Sequence, residues 1–220
     1  MPLRPNQKRA KNIILILWIC IFVNFITIFL DFQDYFSYKN SLKNSGIVFD
    51  LDNNWQYWIY LFRLLLNIVT AIFFIMWFRR AYFNLHLINT KNLAFSEGWA
   101  AGSWFLPPFT LLTRPYYIMK EIWLQTQLNI KEKKDIKKTI LIEWWWAFWI
   151  SYNLLDFFIS LYLGNGNRPE KRFTGILLSF TREIMLIPAS ILVIILIRNI
   201  SKFETELFTS RENLNPEEIL

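Results

Sequence analysis

A chain of 220 residues that is 54% hydrophobic, 19% aromatic and only 19% charged carries more apolar side chain than one water-soluble core can hide, which excludes an ordinary soluble domain of this size. The formal charge of +7 points to an anionic partner, either nucleic acid or membrane lipid, and its distribution along the chain decides between them. A lone cysteine, Cys20, excludes an internal disulfide framework and a C-x-x-C redox or zinc motif.

In chain order, residues 13–30 form an uncharged apolar run behind Arg4, Lys8, Arg9 and Lys11. The run outlasts the apolar stretch of a signal peptide and has no small-x-small cleavage site, so it reads as a retained first span. Residues 31–54, with Asp31, Asp34, Asp50 and Asp52, read as an outside loop. A second span covers 55–78, opening on Trp55, Tyr57, Trp58 and Tyr60 and closing on Trp77 before Arg79 and Arg80, the anchors expected at two interfaces. Residues 97–113 are apolar but contain Pro107 and Pro108, which remove two N–H donors, and a non-crossing element follows. From 116 to 130, Ile118, Met119, Ile122 and Trp123 recur at helical spacing among Lys120, Glu121 and Gln125. The whole of 97–130 therefore reads as re-entrant or interfacial, followed by a solvated connection over 131–138. A third span covers 139–163, a tight turn 164–169, a fourth span 173–197 and a polar cytoplasmic tail 199–220. The predicted fold is all-α: one membrane domain over 1–220, a four-helix bundle with a Pro-broken re-entrant or interfacial segment.

Orientation comes from the basic residues. With the N-terminus inside, seventeen of the 24 Lys and Arg fall on the inner side and five on the outer, while Arg63 and Arg182 lie within spans. This asymmetry places both termini in the cytoplasm and predicts a multi-pass membrane protein. It accounts for the basic charge through anionic lipid head groups, and no nucleic-acid motif accompanies it.

Charges inside spans are the sharpest functional clue, because each is costly in hydrocarbon. Arg63, Asp156, Arg182 and Glu183 fall in one layer about 10 to 15 Å below the outer surface at 1.5 Å per residue. Arg63, Asn67 and Thr70 form one polar stripe and Asn153, Asp156 and Ser160 another, which predicts that Arg63 and Asp156 pair. The layer is either a neutral structural network or an outward-opening ion, proton or ligand path. Glu143, about 140° around the helix from Asp156, is expected beside Arg79, Arg80 or Arg114. His86, the only histidine, has no zincin spacing around it and reads as a surface or packing residue. With no nucleophile elbow or P-loop, no enzyme and no cofactor are expected.

A cytoplasmic-face motif combines Trp77, Arg79, Arg80 and Asn84 with Ser96-Glu-Gly-Trp-Ala-Ala-Gly-Ser-Trp-Phe-Leu-Pro107, which holds Trp104, then Arg114, Pro115 and Trp123. Together with Trp144-Trp-Trp-Ala-Phe-Trp149 it resembles the uncharacterised bacterial membrane family catalogued as domain of unknown function 4328, over roughly 55–200. The resemblance implies a small multi-pass protein with a Pro-broken segment between its middle spans, and no activity. Three functions fit: a membrane scaffold or signalling protein that recruits a cytosolic partner, an oligomeric ion or small-solute channel, and an effector of a bacterial stress or anti-phage defence system. A channel is expected to turn its polar stripes toward an oligomer axis, whereas a scaffold is expected to bury them in each protomer.

Overall fold

The computed structural model describes residues 3–44, 54–88, 93–105, 108–130, 136–163 and 169–212. These residues are helical throughout their regular parts, with no strand among them: α1 Gln7–Asn44, α2 Asn54–Leu87, α3 Trp99–Gly102, α4 Pro108–Leu128, α5 Ile140–Leu163 and α6 Pro169–Glu212. Three segments, Gln7–Ser37, Tyr57–Leu87 and Phe173–Arg211, are long and apolar enough to cross a membrane. α5 has 24 residues, about 36 Å of helix, but its tryptophans, tyrosines, Glu143 and Asp156 lower its mean hydropathy.

Most helices outrun the expected spans. α1 continues through Asp31, Asp34 and Lys39, which correct the expected loop at 31–44 to helix, and α6 continues to Glu212 through the expected tail. The physical reason is that a span is bounded by apolar composition, whereas helix hydrogen bonding is not; Lys, Glu, Gln and Arg propagate a helix as well as Leu does. α4 starts at Pro108, where a proline's missing N–H costs nothing, and not at 116. Pro107, the turn 164–168 and the connection 131–135 lie outside the described residues.

The chain divides into two compact units, the first made of Met1–Ile16, Val69–Trp144 and Leu192–Leu220, the second of Leu17–Ile68 and Trp145–Ile191. They differ in what they expose. The first buries large side chains, among them Trp77, Phe78, Tyr82, Ile122, Trp123 and Phe203. Of its charged residues, Lys8, Arg79 and Arg198 are exposed and Arg9 is half-buried. The second buries Asn24, Thr27, Asp31 and Glu183 and exposes Phe22, Phe25, Phe29, Leu64, Leu65, Phe157 and Phe158. Apolar outside with polar inside is the arrangement that hydrocarbon solvent selects and water penalises.

Candidate functional site

The second unit holds the charged layer. Glu183, fully buried on α6, accepts from Arg63 Nη2 of α2 at 2.7 Å and is also paired with Arg182. Arg182 in turn reaches Asp156 of α5, whose side chain is 56% exposed. Arg63 and Asp156 are therefore not each other's partners, as the stripes predicted; Glu183 and Arg182, adjacent on α6, stand between them in the network. The reason is angular: neighbours in sequence diverge by 100° on a helix, so one long arginine folds back to its own neighbour while still reaching α5. Pro188, inside α6, removes the N–H that would bond the Ile184 carbonyl next to this pair. Asn67, Asn153 and Ser160 are exposed.

A third polar stripe faces inward. Asn24, Thr27 and Asp31 recur at i, i+3 and i+7 on α1 and are all buried. Asn24 Nδ2 donates to the Glu183 carbonyl at 2.9 Å. The Asp31 carboxylate lies within electrostatic reach of Glu183, Arg182 and Arg63. Ending the first span at residue 30 had put Asp31 in a loop; the spacing with Asn24 and Thr27 was the signal that it belongs to the helix.

The first unit carries a second polar knot. Glu204, buried on α6, accepts from Asn6 Nδ2 at 3.2 Å and from Asn84 Nδ2 at 3.3 Å. Asn6 also donates to the Trp77 carbonyl at 3.3 Å, and Asn84 exchanges two hydrogen bonds with the Arg4 backbone at 3.1 and 2.9 Å. No basic side chain pairs with Glu204 among the described residues, so two amides carry its solvation. Trp77 and Asn84, two residues of the motif expected on the cytoplasmic side, are core residues of this unit. Trp123 is buried too, and its indole N–H donates to the Lys137 carbonyl at 2.9 Å while Gln127 Oε1 accepts from the Lys137 N–H at 2.9 Å. Residues 136–138 are thus clamped by α4 and not merely solvated.

Of the remaining motif residues, Trp104 meets Phe74 and Phe78 edge-on at 5.4 and 5.8 Å. Arg114 lies 3.7 Å over the Trp99 ring, a cation–π contact that joins α4 to α3, and Pro115 is buried beside it. Arg79 makes an exposed contact with Glu97 at 3.4 Å, and Arg80 lies 5.8 Å over Phe83. Glu143 pairs with Lys120 at 3.6 Å and not with the arginines: Lys120 lies further along α4 than Arg114, which stands over Trp99 instead. The Tyr116 hydroxyl, which accepts from Lys120, and Glu143 hold that ammonium above its ordinary value.

Ala94, Phe95, Tyr117, Lys120, Glu121, Leu124 and Gln125 line an open groove of about 360 Å³. Glu121 closes one side: it accepts from the Ala94 N–H at 2.8 Å, and the Tyr82 hydroxyl lies 2.6 Å from its other oxygen and 2.9 Å from the Phe95 carbonyl. With one hydrogen, Tyr82 donates best to the carboxylate. Tyr82→Phe is expected to cost about 1 to 2 kcal/mol and to speed amide exchange at Ala94, read by hydrogen–deuterium exchange. Unchanged exchange at 94–95 would show that Glu121 alone holds that turn. His86 packs edge-on against Tyr82, and among the described residues no group of three His, Cys, Asp or Glu side chains is placed to hold a metal.

An all-helical protein with three membrane-length apolar helices and charges paired inside the unit that exposes its phenylalanines is compatible with a membrane protein. The chain belongs to the family described as Domain of unknown function (DUF4328), whose profile matches residues 45–202. No curated protein and no solved structure matches it.

Proposed function

We propose that this protein is a four-span scaffold of a bacterial inner membrane, with both termini cytoplasmic, that recruits a cytosolic protein and has no enzymatic activity of its own. The observation that carries this reading is the internal neutralisation of Arg63 by Glu183, with side chains 11% and 0% exposed. Charges spent on each other within one protomer fix helix register and leave little free charge to line a path. α5 is the fourth span, its length sufficient for a hydrocarbon core of about 30 Å. The exposed Arg79 and the basic excess of the inner segments support contact with anionic head groups on the cytoplasmic leaflet.

Two measurements test it. In a Cys20→Ala background, Asn165→Cys is expected to react with an impermeant maleimide from outside and Lys134→Cys is not; the reverse pattern overturns the orientation. Purified protein in liposomes is expected to pass no more ions than empty vesicles. A second reading, an oligomeric channel, is favoured by the exposure of Asn153, Asp156 and Ser160 on α5. Flux that falls with Asp156→Asn in well-folded protein would establish that reading over the scaffold.

A further inference from the structure

Asn153, Asp156 and Ser160 lie within an arc of about 60° on α5 at 100° per residue, and all three are exposed. They stand at the depth of the charged layer, since Asp156 belongs to both. On the same helix Leu154, Phe157 and Leu161 are exposed beside them, as side chains in contact with hydrocarbon are expected to be. Resting on the proposed crossing of α5, we infer that a second copy of this chain packs against this stripe in the membrane plane, α5 against α5.

The chemistry of the stripe selects the occupant. Hydrocarbon offers neither donor nor acceptor, so an amide, a carboxylate and a hydroxyl at this depth need a polar neighbour. The Asn153 amide already donates to the Trp149 carbonyl at 2.7 Å, which directs its oxygen outward as an acceptor with one N–H still to give. An amide and a hydroxyl, each both donor and acceptor, are self-complementary. A two-fold axis along the membrane normal sets Asn153 opposite Asn153 and Ser160 opposite Ser160 at identical depth, which no unrelated helix is obliged to match. Asp156 does not oppose this, because Arg182 of its own chain meets its charge. The surrounding leucines and phenylalanines then remain on lipid.

The test uses full-length Cys20→Ala protein in native membranes with one new cysteine at a time: Asn153→Cys, Ser160→Cys, or Leu154→Cys as the lipid-side control. Oxidation is expected to give a disulfide-linked species of twice 26.6 kDa from the first two and not from the third. Adding Asn153→Leu to Ser160→Cys is expected to lower that yield about tenfold, the weight of two intramembrane polar contacts. Equal yields at all three positions, no dimer at any, or adducts of another mass would each overturn the inference. Labelling by a water-soluble maleimide separates the alternatives. Reaction at 153 and 160 but not 154 would replace the second copy with a water-filled path, and reaction at all three would remove the crossing of α5 itself.

Discussion

Glu183→Ala is expected to destabilise the protein in detergent by about 3 kcal/mol or more, the largest effect of any single side chain in the charged layer. Glu183 is fully buried and is the shared acceptor of Arg63 and Arg182, so its removal leaves the Arg63 guanidinium, only 11% exposed, without its ion-pair partner. The loss is larger than the coupling of an ordinary intramembrane polar contact, about 0.6 kcal/mol, because it includes the cost of the uncompensated charge. Arg63→Leu with Glu183→Leu is expected to recover much of it, since a matched apolar pair removes both charges together. Asp156→Ala is expected to cost under about 1 kcal/mol, because its side chain is half-exposed and Arg182 keeps Glu183. Thermal unfolding of the three variants checks this ordering; Glu183→Ala no worse than Asp156→Ala would show that Glu183 does not organise the layer.

Glu204→Ala is the second large effect, expected at about 2 to 4 kcal/mol, because Asn6 and Asn84 each lose a carboxylate acceptor inside the first unit. The Arg4 N–H, bound to Asn84 Oδ1 at 3.1 Å, is expected to exchange faster as the segment before α1 loosens. Glu204→Gln is expected to be mild. Its carbonyl can still accept from both amides, since Asn6 and Asn84 each donate to the same Glu204 oxygen, Oε1, at 3.3 Å. A Gln variant as damaged as the Ala variant would mean that the negative charge, and not the acceptor geometry, holds the knot.

How far the sequence can be read differs between these two sites. α5 falls at Ile140–Leu163 against an expected 139–163, because its apolar composition and its helix end together, just before Gly164 in the sequence. α1 and α6 do not behave so: their helices run on past the last apolar residue, and composition alone is silent on where they stop. The charged layer was legible as a set of residues at one depth, since depth follows from counting along each helix. Its pairing was not, because pairing depends on the rotation of four helices about their axes, and that is fixed only by packing. Glu204 looked like one of several tail glutamates. Its distinguishing mark lies in its neighbours: Leu196, Ile197, Ile200, Phe203 and Leu207 continue the helical apolar stripe past Arg198, and Glu204 sits on that buried side while Thr205 and Lys202 do not.

The Asn6–Glu204 contact joins residues 198 apart in sequence. Closing a loop of that length, which the Gln7–Thr205 contact shares, is among the costliest pairings of the described residues, and it brings no return until α6 is in place. During synthesis the Asn6 amide waits for its acceptor until α6 emerges, so the knot is among the last native contacts to form. It therefore completes a fastening that α2 begins: a chain halted before Glu204 keeps the Arg4–Asn84 and Asn6–Trp77 hydrogen bonds but lacks the acceptor that both amides share, and its first residues are expected to be more open to proteolysis. Nascent chains of increasing length, arrested and digested, would show protection of that segment rising further once α6 is complete.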